Sequence, residues 1–259
     1  MKKMLALLMA TLMLVTALAI PAYAETDMEY VKNKGVLVVG ITDFAPMDYK
    51  DENGEWIGFD ADLAKAFTAY LGVEIELVEI DWDNKILELN GKSIDCVWNG
   101  MTLTDEVKSA METSNAYANN AQVVVLPAAK ANDYADVAAL AALSFAVEAG
   151  SAGEAEVNAL GYTTTPVQSQ AATLLEVKAG TSDAAVIDAL MAAAMVGEGT
   201  DYADLTYTFS LNSEEYGVGF RKGSDLAAAL NEFLAAAYAD GSMMAIAETY
   251  GVQAAIIPQ

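Results

Sequence analysis

Short apolar runs alternate with amphipathic stretches along the chain. Val36–Gly40 is a continuous β-branched and apolar run, which predicts a buried strand. Residues 60–71 place Leu63, Phe67 and Leu71 on one helical face, with Asp60 as a candidate N-terminal cap. Val73–Val78 alternates as a strand does. This strand–helix–strand order predicts an α/β fold with mostly parallel sheets and helices on their faces.

A second α/β series follows Pro127, where the composition becomes rich in alanine. Apolar strands are predicted at Ser144–Val147 and Ala184–Ile187, with a helix at Ser169–Lys178 between them. The chain ends in a strand near Tyr216–Phe220 and two helices that resemble those of the first series. This order indicates that the second series is inserted into the first.

Three stretches of the first series should meet at one sheet edge. In parallel sheets ligands lie beyond the carboxyl ends of the strands. The loops that carry Phe44 and Trp82 are placed there, as is a polar turn after the apolar run Ile94–Trp98. That turn, Asn99–Thr102, precedes a helix predicted from about Thr104, and a helix N-terminus can bind a carboxylate. An ordinary strand-to-helix turn with a capping threonine is the alternative, and both aromatic residues could instead belong to the core.

Two features of the second series have comparable alternatives. Gly150–Gly153 is a glycine-rich turn into a helix, but it lacks the Lys-Ser/Thr of a nucleotide phosphate loop, so only a small anion is favoured there. Asp188 ends an apolar strand. It could cap the next helix or face a cleft as a carboxylate for a cation.

Composition narrows the function further. The net charge of −24 disfavours nucleic acid and anionic membranes as partners. Histidine is absent, which removes the commonest general base and metal ligand. Cys96 is the only cysteine and lies in an apolar run, where a buried thiol is expected rather than a nucleophile. We therefore expect no catalytic residues, no metal and no cofactor.

The first residues have the layout of a secretory signal peptide. Lys2 and Lys3 precede the apolar run Met4–Ile20, and Ala22-Tyr23-Ala24 is a small-x-small cleavage site. An uncleaved membrane anchor is the less favoured alternative. We expect cleavage after Ala24 and an extracytoplasmic, soluble mature protein, with a Gram-negative periplasm and a secreted or surface-associated location both open.

Several motifs, in order and spacing, resemble the polar amino-acid solute-binding proteins of ABC importers. Val38–Met47 resembles the opening strand and loop of that family, and Gly58-Phe59-Asp60-Ala61-Asp62-Leu63-Ala64 resembles its signature helix start. Ile94–Thr104 resembles the carboxylate-binding segment, and Tyr216–Gly223 resembles the return strand. The similarity spans essentially the whole chain after residue 24.

The resemblance implies a two-lobe Venus-flytrap fold, a monomer with an amino acid in its cleft and ABC permease subunits as partners. Lobe 1 would comprise residues 25–124 and 217–259, and lobe 2 residues 125–216. Phe44 and Trp82 would hold the ligand side chain, and Asp188 its α-ammonium. The α-carboxylate would lie on the backbone of Gly100 and Thr102, the Thr102 hydroxyl, Ser151 and Ala152. With Asp43, which is a candidate because it lies beside Phe44, the expected ligand-binding set is Asp43, Phe44, Trp82, Asn99, Gly100, Met101, Thr102, Ser151, Ala152 and Asp188.

One position departs from the family pattern. The family places an arginine five residues after the motif threonine, whereas this chain has Val107, followed by Lys108. Asp43 could reach a polar or cationic ligand side chain or could face solvent. A dehydratase-like enzyme on the same fold and a ligand sensor are the alternative functions, and the lack of histidine and scarcity of arginine disfavour the enzyme.

Overall fold

Two large β-sheets flanked by helices, together with the two-stranded hairpin β2-β3, form the described part of the molecule. The computed structural model describes residues 25–134 and 136–259, so the predicted signal peptide lies outside the described residues. The strands are β1 Val36–Ile41, β2 Tyr49–Lys50, β3 Trp56–Ile57, β4 Glu74–Glu79, β5 Cys96–Thr102, β6 Met111–Thr113, β7 Ala118–Asn120, β8 Gln122–Pro127, β9 Ser144–Glu148, β10 Thr163–Val167, β11 Ala184–Asp188, β12 Leu205–Ser210 and β13 Glu214–Arg221.

The α-helices follow the predicted rhythm. They are α1 Asp27–Lys34, α2 Phe59–Leu71, α3 Lys85–Asn90, α4 Asp105–Ala110, α5 Ala152–Ala159, α6 Gln170–Ala179, α7 Ala189–Met195, α8 Leu226–Ala239 and α9 Ser242–Thr249. Short 3₁₀ helices cover Trp82–Asn84, Ala128–Asp133, Val137–Ala142 and Gln253–Ala255. Within the described ranges, no helix has both the length and the apolarity that a membrane crossing requires.

The first sheet has the strand order β4-β1-β5-β13-β6, and β7 pairs with β13. β1 runs parallel to β4 and β5, whereas β13 is antiparallel to β5, β6 and β7. The prediction of parallel strands is therefore confirmed for the first three strands, and the returning strand makes the sheet mixed. Phe67 of α2 packs on Phe233 of α8, with ring centroids 5.4 Å apart, in the core that covers one face.

The second sheet has the order β10-β9-β11-β8-β12. β9 is parallel to β10 and β11, and β8 is antiparallel to β11 and β12. We call the first sheet with its helices lobe 1 and the second lobe 2. The chain enters lobe 2 at Gln122 and returns at Glu214, three residues earlier than expected at each crossing, because β8 already pairs with β11 at Gln122 and β13 already pairs with β7 at Glu214.

The segment around Gly100 differs from its prediction. It is strand rather than turn, because β13 pairs with Met101 and Thr102 and extends β5 beyond Trp98. The register shifts between Gly217 and Gly219, and Gly100 has a φ of 51°, so the strand is bulged there. The helix after it begins at Asp105, close to the predicted start at about Thr104. Thr104 caps this helix, and its hydroxyl accepts from the Val107 N–H at 3.1 Å.

The start of α2 also corrects an expectation. Asp60 does not cap this helix, which begins at Phe59 after Gly58 and has no side-chain cap. A Cβ on Gly58 would lie 2.1 Å from the Met47 carbonyl oxygen, so only glycine permits this turn. The Asp60 carboxylate instead points across to β5.

Candidate ligand-binding site

A cavity of about 280 Å³ is lined by residues of both lobes. Lobe 1 contributes loop, strand and helix-start residues, and lobe 2 contributes the ends of β9 and β11 with the starts of α5 and α6. The lining residues are Thr42, Phe44, Trp82, Lys85, Asn99, Gly100, Met101, Thr102, Thr104, Asp105, Glu106, Val107, Glu148, Gly150, Ser151, Ala152, Ala155, Gln170 and Asp188. The structure thus brings nine of the ten sequence-predicted residues to one cavity.

Asp43 is the residue left out. It is exposed and lies in a neighbouring surface pocket with Glu79 and Ser169. Burial and the nearby Glu79 charge raise the pKa of its carboxyl group. Asp43 could therefore interact with solute only outside the main cavity.

Two aromatic side chains form part of the lobe 1 wall. Phe44 is held by a hydrogen bond from its N–H to the Asp48 carbonyl at 2.7 Å and by an edge contact to Tyr216, with centroids 6.3 Å apart. Trp82 begins a 3₁₀ helix and is 7 % exposed. Both border the cavity and both also belong to apolar clusters, so each contributes to the core, and contact with a ligand stays a prediction.

The backbone N–H of Gly100 is already bonded. It donates to Asp60 Oδ2 at 2.6 Å, and Tyr117 donates its hydroxyl to the same oxygen at 2.7 Å. This corrects the expectation that the Gly100 N–H holds a ligand carboxylate. Gly100 is needed for packing instead, since a Cβ there would lie 2.5 Å from Phe44 Cε1.

Neighbouring groups of β5 are also engaged within the protein. The Asn99 side chain donates to Asp48 Oδ2 at 3.0 Å and accepts from the Thr42 N–H. The Thr102 hydroxyl donates to Glu214 Oε1 at 2.9 Å. These residues border the cavity, but their polar side chains mainly hold the sheet and its surrounding loops in place.

Two buried acids lie beneath this edge of the sheet. Burial raises the pKa of Asp60 to about 7, opposed by the hydrogen bond from the Gly100 N–H. Burial and the Asp60 charge raise the pKa of Asp48 well above its usual range. Each carboxyl group has one oxygen with no hydrogen-bond partner among the described residues. The pair therefore favours protonation in the folded state.

The lobe 2 side begins with the predicted glycine-rich turn. Ser151 caps α5, and its hydroxyl accepts from the Glu154 N–H at 3.1 Å, so the predicted helix start is confirmed. The Glu154 carboxylate turns back and accepts from the Gly150 N–H at 2.8 Å. One of the protein's own acids thus already lies at this helix N-terminus, where Ser151 and Ala152 border the cavity.

Asp188 is buried at the end of β11, with 3 % exposure. It is the N-cap residue of α7, but its side chain makes no capping bond. Its carboxylate instead accepts from Tyr216 at 2.8 Å and Gln122 at 2.9 Å, and also from Asn120 and Gln170. Burial, and then the Glu214 charge, raise the pKa of Asp188 to about 8.

Glu148 is a site residue that the sequence interpretation missed. It is the last residue of β9, it is 3 % exposed, and its Oε1 has no hydrogen-bond partner among the described residues. Burial and then the Asp188 charge raise its pKa to about 8, whereas Lys85 lowers it. The signal was available, because Glu148 ends an apolar strand at the carboxyl edge of its sheet, as Asp188 does.

Lys85 was also missed. It is the one basic side chain among the described residues that line the cavity. Its Nζ donates to the Trp82 carbonyl at 3.2 Å and to the Gly150 carbonyl of lobe 2 at 2.9 Å. Burial lowers the pKa of its ammonium group. Lys85 follows the mostly polar sequence Asp81-Trp82-Asp83-Asn84, and that pattern does not indicate a contact between the lobes.

Val107 also borders the cavity, with 4 % exposure. Its side chain packs with Trp82, Leu89 and Met101 in an apolar cluster. The position that the resemblance would give to a carboxylate-binding arginine is therefore part of an apolar wall, and no guanidinium group reaches the cavity from the described residues.

Two sheets joined by two crossings, with an aromatic and acidic cavity between the lobes, define a two-lobe solute-binding protein of type II. The family model described as bacterial extracellular solute-binding proteins, family 3, matches residues 37–253. The chain therefore belongs to this family of substrate-binding proteins, as the sequence resemblance indicated.

Individual relatives are similar over most of their length. The L-cystine-binding protein of Escherichia coli K12 is 26 % identical over 242 residues, covering 92 % of this chain and 91 % of that protein. The arginine-binding extracellular protein of Bacillus subtilis is 29 % identical over 241 residues, covering 90 % and 92 %. A crystal structure of a mutant of ArgBP from T. maritima has a TM-score of 0.81 and 33 % identity, covering 86 % of this chain and 98 % of that chain.

Proposed function

We propose that this protein is an extracytoplasmic, non-enzymatic binding protein that captures an amino acid or a close analogue and delivers it to an ABC importer. The observation that carries the proposal is the cavity between the lobes, where Phe44 and Trp82 of lobe 1 face Asp188 and Glu148 of lobe 2. Aromatic walls with a few convergent polar groups are typical of sites for small ligands.

The ligand would close the cleft by joining the two lobes. The lobes meet through two chain crossings, near residue 121 and residues 211–213, which would act as the hinge. A ligand that contacts Trp82 and Asp188 at the same time stabilises the closed form, because only that form provides both contacts. The closed form is then the one that a permease would recognise.

Asp188 would supply negative charge for the ligand's ammonium group. Its four side-chain donors hold the carboxylate in place at the end of β11. Burying an ammonium group without a counter-charge costs several kcal/mol. Glu148, with its free Oε1, lies near enough to share this role. The backbone at Thr102, Ser151 and Ala152 remains the proposed carboxylate contact.

A thermal-shift screen of the mature protein with the twenty amino acids and their close analogues tests the proposal. A ligand at 100 times its Kd should add about 2.7 kcal/mol to the free energy of unfolding. The ligand recovered from the complex should have an unchanged mass, whereas an enzyme would return product. No stabilisation by any compound of the screen would overturn the proposal.

Two Asp188 variants and a matched control test the site. Asp188→Ala and Asp188→Asn should nearly abolish binding in calorimetry, since each removes the negative charge. Asp204→Ala removes an exposed acid of the same lobe and should bind normally. Full affinity in Asp188→Asn would exclude the ammonium role. Uptake of the labelled ligand by cells with and without the gene tests delivery.

A further inference from the structure

The charges that line the cavity are mostly negative. Asp105, Glu106, Glu148 and Asp188 border it, against the single basic residue Lys85 among the described lining residues. Glu148 and Asp188 are nearly fully buried, and the Asp188 charge raises the pKa of Glu148. The pKa of each carboxyl group is about 8, so both favour protonation at neutral pH until a cation approaches them. In a buried site, ionising two neighbouring acids is costly unless a cation lies between them.

The cationic groups of the protein do not balance this charge. Lys85 Nζ is directed at the Gly150 and Trp82 carbonyl groups. Arg221 is the only arginine of the sequence, and its guanidinium pairs with Asp27 at 3.1 Å and Asp95 at 3.3 Å, in residues that do not border the cavity. Among the described residues, Lys85 therefore lowers the pKa of Glu148 only in part, and no salt bridge pairs a basic side chain with Glu148 or Asp188.

Groups that would hold a ligand carboxylate are largely engaged or replaced. The Gly100 N–H is bonded to Asp60, and the Thr102 hydroxyl donates to Glu214. Val107 provides an apolar surface where a basic side chain would have paired with the carboxylate. The start of α5 already has the Glu154 carboxylate on the Gly150 N–H, which reduces its attraction for a second anion.

Glu148 has a buried carboxyl oxygen for which the described residues provide no hydrogen-bond donor. Its Oε1 is buried, borders the cavity and accepts no hydrogen bond from any described residue. A buried acceptor without a partner is costly, and a ligand donor would remove that cost. The Phe44 ring borders the same cavity, and the face of an aromatic ring attracts cations. The Trp82 ring already has Lys85 Nζ over it, 4.9 Å from the ring centroid.

We propose that the cleft recognises a small organic cation through its amine groups and does not need a ligand carboxylate. A diamine or guanidino-amine then binds at least as tightly as the amino acid that has the same structure with an added carboxylate. One amine pairs with Asp188 and Glu148, and the alkyl chain lies along Val107 and the aromatic rings. This inference rests on the proposed function and specifies its ligand.

Calorimetry with three matched pairs tests it: L-lysine and cadaverine, L-ornithine and putrescine, and L-arginine and agmatine. The protein is first unfolded, dialysed and refolded to remove any bound solute. We expect at least one amine to bind with a Kd equal to or below that of its amino acid. If every amino acid that binds does so more tightly than its amine, the inference is wrong and the proposed function stands. The same holds if the thermal-shift screen finds only amino acids with uncharged side chains.

Two variants separate recognition of the cation from general damage to the fold. Glu148→Gln keeps the shape of the side chain but removes its charge, so the affinity for the amine should fall at least tenfold. Glu156→Gln removes a carboxylate of α5 that bonds Asn212 outside the cavity, and it should bind as the parent does. Circular dichroism and thermal melting check that both variants fold. Equal amine affinity in a folded Glu148→Gln would overturn the inference. Only a failure of every compound of the thermal-shift screen to bind would overturn the proposed function with it.

Discussion

Lys85 of lobe 1 donates a hydrogen bond from its Nζ to the carbonyl oxygen of Gly150 in lobe 2, at 2.9 Å. The same glycine lies directly against Asp83, and a Cβ on Gly150 would lie 2.8 Å from the Asp83 Cα. The lobes therefore contact each other at Gly150, a residue of lobe 2 that has no side chain. Lys85 and Gly150 both line the cavity, so we expect this contact to depend on closure of the cleft.

Gly150→Ala should weaken ligand binding at least tenfold, because the added methyl group separates the lobes at this contact. Gly161→Ala is the matched control. Gly161 has nearly the same φ, 73° against 70°, but a Cβ there meets nothing within 4 Å. Both variants carry the same backbone strain, so calorimetry with the ligand found by the screen isolates the contact. Equal affinities of the two variants would show that closure does not depend on Gly150.

Trp82→Ala should weaken binding by roughly 1–3 kcal/mol, the range for removal of a buried aromatic contact. Trp56→Ala removes the same side chain from β3, where Trp56 is half-buried below Lys50 and does not border the cavity. Calorimetry of both variants gives the comparison. If Trp82→Ala binds as tightly as Trp56→Ala, the indole has only a packing role.

The sequence predicted the elements well because their hydrophobic patterns are strong and local. The helix after Gly58 and the helices predicted near Thr104, Ser151 and Ser169 are all present, and the last three have side-chain caps. Their apolar periods and caps are set by residues close in sequence. These are the parts of the fold that do not depend on distant contacts.

The errors occur where distant residues decide the structure. Gly100 looks like a turn residue in sequence, yet pairing with β13, more than a hundred residues away, makes it part of a strand. Asp60 looks like a cap, yet its carboxylate bonds the Gly100 N–H and the Tyr117 hydroxyl. Lys85 and Glu148 face one cavity only because the lobes close on each other. No local pattern indicates contacts of that kind.

Asp60 should make the protein less stable as the pH rises from about 4 to about 7. Burial raises its folded-state pKa to about 7 from an ordinary 3.8, so in this interval the folded state binds more protons than the unfolded state. The free energy of unfolding then falls with pH by up to about 1.4 kcal/mol per pH unit and levels off above pH 7. Denaturant unfolding at several pH values measures this slope.

Asp60→Asn should reduce that slope, because an amide does not titrate. Asp48 is also buried and keeps its own contribution, so part of the slope should remain. Glu52→Gln, exposed at the hairpin turn, is the control and should leave the slope unchanged. An unaltered slope in Asp60→Asn would place the pH dependence elsewhere in the protein.

Val107→Arg should reverse the preference of the cleft between amines and amino acids. The new guanidinium would extend from the cavity wall, pair with an α-carboxylate and repel a ligand amine. We expect α-amino acids to bind as tightly as before or more tightly, and the ratio of amine Kd to amino-acid Kd to rise at least tenfold. Val107→Met changes the size of the side chain without adding charge, so it should leave the ratio near its parental value. Two results would contradict this prediction: an equal change of the ratio in both variants, or a folded Val107→Arg that binds neither ligand. Either result would mean that Val107 acts through the shape of the pocket rather than through the absence of a positive charge.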